Sequence, residues 1–518
     1  MSPPRPRSLP VLRPLLCALA LALALPGAGL QAQTQLPALG DAASEDLSVG
    51  DERRLGEQIM RQIRADPDYL DDPVLQDYVQ GLWTPLVRAA RASGHIGPEL
   101  DAAFAWEAFL VRDRSVNAFA LPGGHVGVYL GLIAMTTHTD ELASVLAHEL
   151  SHVTQRHIAR SLGNAQRQGM VGMAAMILAV IASARAGNAD ATQAAIVGSQ
   201  AAMLQGQLNY SRDMEREADR IGFGVLDGAG FSAQGMASMF EKLAFANRLN
   251  DSGAFPYLRS HPLTTERISE ARERAGANAP ARSPSTLHGL MRARARVLMD
   301  PSAQALRRLQ EVPAAVVDPA QALAARYAQA LASVRLADAP AARQALEALQ
   351  QQAAAPAVDD AARRAVQRLA AEAWLALGSP AQAAEALAQA GADGGRPGLL
   401  LRSQLALAQA ADKPQAVRAG AESLQVWTAE HPDDAQAWTL LAQTAEAAGL
   451  PLRAQRAGAE ARVAIGDLPG AVDRLRAAQR AARAAGHPEA IEAQVIDARL
   501  RSLEQQLREW RAENRAAR

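Results

Sequence analysis

The chain is long enough for more than one domain, and its charges nearly cancel. It has 518 residues, of which 49% are hydrophobic and 21% are charged, and a chain of this length normally divides into several domains. Lys and Arg together number 53, against 54 Asp and Glu, so there is no basic field to favour nucleic acid and no acidic excess typical of a disordered tail. Nucleic acid is therefore not an expected partner.

The first residues have the pattern of an export signal. Arginines precede an apolar run from Leu15 to Leu25, and Pro26-Gly27 and small residues up to Ala32 follow it. The run is short for a bilayer span, and a retained N-terminal anchor is the alternative. We expect residues 1–32 to be a signal peptide that sends the protein to the periplasm.

The single cysteine, Cys17, lies inside this apolar run. Removal of the signal would leave a chain with no disulfide bond and no cysteine ligand for a metal. Any bound metal ion would then be held by histidine and carboxylate groups.

The next stretch predicts helices that lead into a small sheet. Residues 51–92 have apolar side chains at every third or fourth position and are predicted to form two helices. From Phe104 onward this helical spacing gives way to an alternating pattern of side chains, and the turn signal Leu121-Pro-Gly-Gly124 follows. They predict a small antiparallel sheet between Trp106 and Leu130.

Further helices follow the predicted sheet. Thr139 and Asp140 supply N-cap chemistry for a helix from Glu141 to Arg160, and another helix is expected from about Gln193 to Asp227. The segment from Gly169 to Ala184 is almost wholly apolar but short for a bilayer. A buried hairpin helix is favoured there, and a surface flap at a membrane or a spanning helix are the alternatives.

The C-terminal part has a helix-forming composition and repeats itself. Polar residues and glycine after Gly276 mark a linker, and from about Leu290 the chain consists largely of Ala, Leu, Arg, Gln and Glu. The stretch Trp374 to Gly378 resembles Trp438 to Gly449, with glycine at the turn, and the pattern resembles tetratricopeptide helical pairs. We expect about four to six stacked pairs. An Ala-rich helical bundle is the alternative.

The motif His148-Glu-Leu-Ser-His152 carries the main chemical signal. Residues four apart share one helix face, with Cβ atoms about 6 Å apart, so both imidazoles can reach one metal ion. Zinc is bound through imidazole nitrogen, and Glu149 lies where its carboxylate can take a proton from metal-bound water. Two unrelated surface histidines are the alternative, because the motif also occurs by chance.

A catalytic zinc site needs a third protein ligand, and the segment Glu215-Arg-Glu-Ala-Asp219 offers one. Glu215 and Asp219 share a helix face. If Glu215 binds zinc, Asp219 can accept a hydrogen bond from a ligand imidazole and fix its orientation. Glu217 lies about 200° around the helix and is expected to face away. A solvated, charged helix face is the alternative for this segment taken alone.

Together, the two motifs resemble the zincin metallopeptidase family of the CAAX prenyl protease type, in particular its periplasmic branch with tetratricopeptide repeats. The likeness implies a mainly α fold. A gluzincin-like helical metallopeptidase domain with a small β-sheet would occupy residues 45–275. A linker and connecting helix would follow over 276–299, and an α-helical tetratricopeptide-like solenoid over 300–518.

The resemblance also implies roles for individual residues. It makes His148, His152 and Glu215 the ligands of one Zn²⁺ per chain, in agreement with the helix geometry. It makes Glu149 the general base and adds Asp219 to the catalytic residues. His157 is expected to pack or hydrogen-bond locally, because the metal site is already complete without it.

Two further features of the family have counterparts here. Asn117, Ala118 and Phe119 would belong to a strand that pairs with an extended substrate, and an ordinary hairpin is the alternative. His261 matches a His-Pro element, and it would either stabilise an oxyanion or act as a fourth ligand that displaces water and holds the enzyme inactive. A loop at the start of a helix, with Thr264 as the cap, is the alternative for His261.

The resemblance predicts a periplasmic zinc endopeptidase that hydrolyses unfolded, misfolded or misassembled proteins. It implies that the clients are outer-membrane proteins and that the repeats recruit them or their insertion complex. A chaperone or adaptor with a mostly closed protease site is the alternative. Membrane-embedded processing of prenylated proteins is a third hypothesis, which the lack of convincing spans after the signal disfavours. Peripheral contact with a membrane stays open.

Overall fold

A computed structural model describes most of the chain, namely residues 47–162, 177, 212–249, 255–276, 285–311, 318–391, 394–484 and 489–516. The predicted signal peptide, Cys17, nearly all of the apolar segment 169–184 and most of the linker lie outside these residues. Within the described segments, none of the helices has the length and apolarity that a bilayer crossing requires. The described chain is mainly helical with one small sheet, so the predicted fold class is confirmed.

The described chain begins with two long helices, as predicted for residues 51–92. Ser48 and Asp72 precede them, and each side chain accepts a hydrogen bond from a backbone N–H in the first turn. The elements of this part are α1 (Val49–Arg64), β1 (Tyr69–Leu70), α2 (Pro73–Ala92) and α3 (Pro98–Ala103).

The sheet is mixed, so the prediction of a purely antiparallel sheet is wrong. The strands that follow β1 are β2 (Glu107–Val111), β3 (Ala118–Leu121) and β4 (His125–Tyr129), and the order is β1-β2-β4-β3. β3 and β4 form the predicted hairpin, but the chain leaves β2 and passes to the far side of β4 before the hairpin begins. β2 and β4 are therefore parallel. β1 pairs antiparallel with β2 and is only two residues long, too short to show alternation.

One helix lies at the centre of the metallopeptidase-like part. This helix, α5, is buried from Asp140 to Thr154, and both helices that follow the undescribed segment pack on it. The helices of this part are α4 (Leu130–Met135), α5 (Thr139–Thr154), α6 (His157–Leu162), α7 (Arg212–Gly228), α8 (Gln234–Leu249), α9 (Tyr257–Ser260) and α10 (Thr265–Ala275).

The start of α5 differs from the prediction. Thr139 is its first residue, and the N-cap is His138. The Glu141 carboxylate accepts hydrogen bonds from the backbone N–H groups of Thr137 and His138. The prediction that Thr139 and Asp140 cap this helix is therefore wrong, because the N-cap lies one residue before Thr139 and two before Asp140.

The predicted continuous helix as far as Arg160 is also interrupted. α5 ends at Thr154, Arg156 adopts a φ of +51°, and α6 begins at the next residue. The Arg156 side chain is buried, donating to the Glu52 carboxylate at 2.9 Å and to the Leu47 carbonyl at 2.6 Å. These partners lie far away in the sequence, so local periodicity could not indicate the break.

The C-terminal part is a succession of helices in which each packs on its neighbours, as expected for a helical solenoid. The described helices are α11 (Thr286–Leu298), α12 (Ala303–Gln310), α13 (Pro319–Arg335), α14 (Ala339–Ala353), α15 (Asp360–Ala376), α16 (Pro380–Ala390), α17 (Arg396–Ala408), α18 (Pro414–Glu430), α19 (Ala435–Ala447), α20 (Pro451–Ala464), α21 (Leu468–Ala484) and α22 (Ala490–Ala516).

Taken in order, α13 to α22 pair as hairpins, and their number falls within the expected range. Gly378 and Gly449 occupy turns between paired helices with φ of +67° and +77°. This left-handed conformation favours glycine and ends the preceding helix, so the predicted glycine turns are confirmed. That the hairpins are tetratricopeptide repeats stays a prediction.

The connecting helix α11 is buried against both parts of the chain. The Arg294 guanidinium donates to both carboxylate oxygens of Asp72 at 2.7 Å and to Glu372 of α15 at 2.8 Å. A single hydrophobic core extends from Leu47 to Leu401 and includes α11. The two parts of the chain are thus tightly packed, and the domain boundaries at residues 275 and 300 stay predictions.

Replacing Arg294 should destabilise the protein strongly. Arg294→Ala leaves the buried Asp72 carboxylate without its cation, and breaking a buried pair from one side typically costs about 3–5 kcal/mol. Urea unfolding followed by circular dichroism measures the loss. Arg296→Ala, at an exposed position of the same helix, is the control and should change the midpoint little. Equal midpoints for the two variants would contradict the role of Arg294.

A second buried group of α11 should make stability depend on pH. His288 lies 2.6 Å from the Tyr78 hydroxyl and 3.2 Å from Thr136 Oγ1, and burial lowers the pKa of His288 to about 4. An unfolded histidine titrates near 6.5. As the pH falls from about 6.5 to 4, the unfolded state binds the proton first, and the free energy of unfolding should fall by up to about 3 kcal/mol.

The measurement is urea unfolding at pH 7 and at pH 4.5 for the wild type and for His288→Gln. The glutamine variant should lose less stability between the two pH values. An equal loss in both proteins would show that His288 is not the source of the acid sensitivity.

Candidate metal centre

The two sequence motifs lie on helices that approach each other closely. A Cβ built on Gly222 of α7 would lie 3.2 Å from the Ala147 carbonyl and from the His148 backbone nitrogen of α5. A side chain here would crowd this backbone, and the neighbouring atoms would have to shift by a few tenths of an ångström. This approach sets Glu215 of α7 opposite the two histidines of α5.

Four side chains meet at one buried point. One nitrogen or oxygen atom from each of His148, His152, Glu215 and His261 lies within 4.8 Å of the others, and each residue is at most 2% exposed. His148 Nε2 is 3.0 Å from His152 Nε2 and 3.3 Å from His261 Nδ1. Glu215 Oε1 is 3.0 Å from His261 Nδ1 and 3.4 Å from His152 Nε2. The structure therefore brings together the three predicted metal ligands and His261.

These donors suit a metal ion. His148 Nδ1 lies 3.0 Å from Asp219 Oδ1, and Nε2, which carries the lone pair when the neutral ring is protonated on Nδ1, faces the cluster. His152 Nε2 and Glu215 Oε1 point to the same place. Their lone pairs repel that of His148 Nε2 unless a cation lies among them. Imidazole and carboxylate together are donors that zinc and related divalent ions prefer.

The charges in the cluster are balanced by protons when no metal is bound. Burial acts to lower the pKa of His148, but Asp219 and Glu215 outweigh it and raise this pKa to about 10. Burial holds the pKa of His152 well below its usual value, and the neighbouring His148 acts in the same direction. Burial acts to raise the pKa of Glu215, but the histidines, His261 foremost, hold it well below its ordinary value. A metal cation would replace the proton on His148.

Arg267 of α10 fixes two carboxylates of α7, those of Asp219 and Glu215, a role that the sequence did not indicate. Its Nε and Nη2 atoms donate to Asp219 at 2.6 and 2.8 Å, and its Nη1 atom lies 2.8 Å from Glu215 Oε2. Nη1 also donates to the Pro262 carbonyl at 2.9 Å. The bidentate pair holds Asp219 against His148 and leaves Glu215 Oε1 facing the histidines. The only sequence signal was an arginine shortly after the His-Pro element.

Glu149 is fully buried beside the cluster. Its Oε1 atom lies 3.5 Å from His261 Nε2, and neither carboxylate oxygen accepts a hydrogen bond within the described residues. A buried carboxylate in this condition lowers stability, and a catalytic role is one explanation for its retention. Its position next to the ligands suits the predicted general base.

His261 folds back over the two helices, as both of its predicted roles require. It follows α9, and the Tyr257 ring stacks on it with centroids 4.6 Å apart. Thr264 caps α10 as expected, since its hydroxyl oxygen accepts a hydrogen bond from the Arg267 N–H. His261 thus lies within the buried cluster and also in the loop that leads to the capped helix, and its role stays a prediction.

The predicted substrate strand lies beside α5. β3 is an edge strand, and within the described part of the chain only β4 pairs with it. Asn117 precedes β3 and its carbonyl accepts a hydrogen bond from the Tyr129 N–H at 3.1 Å. Ala118 is buried, and the Phe119 ring packs edge-on against Tyr129. Pairing of this strand with a substrate stays a prediction.

Glu217 and His157 lie behind the cluster. Glu217 faces away from the metal ligands, as predicted, and its carboxylate lies 3.0 Å from both His157 Nε2 and Arg160 Nη1. His157 hydrogen-bonds locally, also as predicted, but its partner is His152, a predicted metal ligand, with the two Nδ1 atoms 2.8 Å apart. The sequence did not indicate this contact.

Removing Arg267 should weaken metal binding. Arg267→Ala frees Asp219 and Glu215 to turn away from their present positions, and loss of such outer contacts typically lowers metal affinity by about 10- to 100-fold. Arg267→Lys should be intermediate, because it keeps the charge without the planar fork. Competition for Zn²⁺ with a chromophoric chelator measures the affinity. The control is Arg272→Ala, at an exposed ion pair of the same helix, and an equal affinity for Arg267→Ala and this control would contradict the role of Arg267.

The chain is similar to known metallopeptidases. Residues 84–275 match the model of peptidase family M48. The chain is 38% identical over 286 residues to the "Putative beta-barrel assembly-enhancing protease" of Vibrio cholerae, covering 54% of this chain and 56% of that protein. It is 36% identical over 248 residues to the "Beta-barrel assembly-enhancing protease" of Escherichia coli, covering 47% and 48%.

A mitochondrial protein also matches. The "Mitochondrial metalloendopeptidase OMA1" of Saccharomyces cerevisiae is 31% identical over 197 residues, which cover 37% of this chain and 53% of that protein. The chain spans about half the length of the relatives it matches.

The family match covers every residue of the buried cluster, and also Glu149, Asp219 and Arg267. It ends at residue 275, before the connecting helix and the repeats. The family resemblance predicted from the two motifs is therefore confirmed. Residues 84–275 of this chain are thus similar to the metallopeptidases of family M48.

Proposed function

We propose that this protein is a zinc-dependent endopeptidase. The observation that supports this most is the buried meeting of His148, His152 and Glu215 beside Glu149, inside a domain of a metallopeptidase family. These three ligands would hold one zinc ion per chain. When bound, zinc supplies Lewis acidity that polarises a scissile carbonyl and makes a water molecule more acidic.

The protein's own groups would move the protons. Glu149 would take the proton of the attacking water and later return it to the leaving amine, the general acid and base work that a positioned carboxylate performs. Asp219 would hold His148 in the tautomer whose Nε2 binds metal. Arg267 would keep the Asp219 carboxylate in place.

The edge strand β3 would bind the substrate. Asn117, Ala118 and Phe119 lie at this edge, next to the helix that carries the metal ligands. An extended peptide that pairs with an edge strand is held by backbone hydrogen bonds, which do not depend on side chains. Such a site would accept many sequences, as clearance of misfolded proteins requires.

His261 would regulate access to the site. A catalytic zinc site has three protein ligands and one position for water or substrate. His261 Nδ1 lies 3.0 Å from Glu215 Oε1 and 3.3 Å from His148 Nε2, where it would fill this position. We therefore favour the fourth-ligand role over that of an oxyanion donor, with the loop after α9 moving when substrate enters.

The relatives named beta-barrel assembly-enhancing protease support a wider proposal. The protein would act in the periplasm on unfolded or misassembled outer-membrane proteins. The helical repeats would recruit these clients or the complex that inserts them, because stacked helical pairs form extended binding surfaces. Contact with the membrane surface would be peripheral.

A chaperone or adaptor is the second candidate function. Its supporting observation is the position of His261 among the metal ligands, which would keep the protease site closed for most of the time. In that case the repeats would perform most of the function, and cleavage would be rare.

Metal content and casein cleavage of the purified protein test the proposal. The wild type should hold about one zinc per chain. Glu149→Gln should keep the zinc and cleave about 10²- to 10⁴-fold more slowly, because it lacks the general base. Glu215→Ala should lose the zinc, and a chelator should stop cleavage by the wild type.

Cleavage by Glu149→Gln at the wild-type rate would contradict the proposed mechanism. Zinc without cleavage in the wild type, with cleavage appearing in His261→Ala, would show a closed protease. Zinc and client binding without cleavage in either protein would favour the chaperone.

A further inference from the structure

In addition to the buried cluster, a row of polar side chains lies behind His152, on the side away from the other predicted metal ligands. His152 Nδ1 is 2.8 Å from His157 Nδ1, His157 Nε2 is 3.0 Å from Glu217 Oε2, and Arg160 Nη1 is 3.0 Å from the same oxygen. Both histidines are completely buried. Polar groups this deep in a protein are nearly always hydrogen-bonded, so the row is a chain of hydrogen bonds.

The proton positions in this row follow from what each atom can donate. A neutral imidazole has one N–H and one lone pair. Glu217 is an acceptor held by Arg160, so His157 Nε2 donates to it and His157 Nδ1 must accept. His152 Nδ1 is then the donor, and the lone pair of His152 lies on Nε2. This is the nitrogen that faces Glu215 and His148.

The backbone is shaped to bring His157 to this place. On an uninterrupted helix, a residue five positions after His152 would lie about 140° around the axis and could not face it. The left-handed conformation of Arg156 ends α5 and turns the chain back. It is held by the buried pairing of Arg156 with Glu52. Backbone conformations of this kind persist only where the surroundings enforce them, and they concentrate at functional sites.

We propose that His157 and Glu217 are positioning residues for the metal ligand His152, an inference that rests on the proposed zinc site. The row fixes the tautomer and the ring orientation of His152, and the Glu217 charge makes Nε2 a better donor to the metal. Each of the two ligand histidines then has its own support. His148 is backed by Asp219 and Arg267, and His152 is backed through His157 by a carboxylate paired with Arg160.

The test is the Zn²⁺ affinity of variants of the full chain, measured by competition with a chromophoric chelator. His157→Phe removes the acceptor for His152 Nδ1–H and should lower the affinity about 10- to 100-fold. His157→Asn offers an amide oxygen as acceptor and should recover part of the loss. Glu217→Ala should lower the affinity as well, and Glu217→Gln less so, because its amide oxygen still accepts.

A matched control is available in another buried histidine. His125 pairs with Glu107 at 3.1 Å on the sheet and does not contact the metal ligands. His125→Phe should bind Zn²⁺ with wild-type affinity. The visible absorption of the Co²⁺-loaded proteins gives a second readout, because it reports ligand geometry: His157→Phe should change the spectrum and His125→Phe should not.

The outcomes separate this inference from the proposed function. If the wild type binds Zn²⁺ and both His157→Phe and Glu217→Ala bind it with unchanged affinity, the positioning role is overturned and the zinc site stands. An equal loss in His125→Phe also overturns it, because the effect would then be general loosening. A wild type that binds no Zn²⁺ overturns the proposed function itself. If His157→Phe does not fold, as judged by circular dichroism, the two Glu217 variants decide.

Discussion

Imidazole nitrogens and a carboxylate that converge inside a protein need a proton or a metal cation among them, because their lone pairs repel and an uncompensated buried charge is costly. His148, His152 and Glu215 impose this requirement. Charged groups lie behind both histidines. Asp219 is 3.0 Å from His148 Nδ1 and pairs with Arg267. His157 is 2.8 Å from His152 Nδ1 and contacts Glu217, which pairs with Arg160.

The fold supplies the rigidity that such a cluster needs. The central helix α5 is buried along nearly its whole length, so its two histidines cannot turn outward. Gly222 lets α7 pack closely enough on α5 for Glu215 to reach them. The connecting helix α11 is joined to the N-terminal part of the described chain by Arg294, which pairs with Asp72, and by His288, which contacts Tyr78. The C-terminal helices and the metal centre therefore belong to one continuous packed structure.

The sequence indicated which side chains cluster better than it indicated the contacts that support them. His148 and His152 could be paired because residues four apart share a helix face, and the glycine turns of the C-terminal helices were predicted for a similarly local reason. The parallel pairing of β2 with β4, the break at Arg156 and the role of Arg267 were missed. Each depends on contacts between residues far apart in the chain, which no local pattern contains.

The most direct test of the metal site is an anomalous difference map at the zinc absorption edge, from crystals of the zinc-loaded protein. The expected result is one strong peak about 2.0–2.2 Å from Nε2 of His148, from Nε2 of His152 and from a carboxylate oxygen of Glu215. A map with no peak among these three side chains, or with its only strong peak elsewhere in the domain, would contradict the assignment of a catalytic zinc centre.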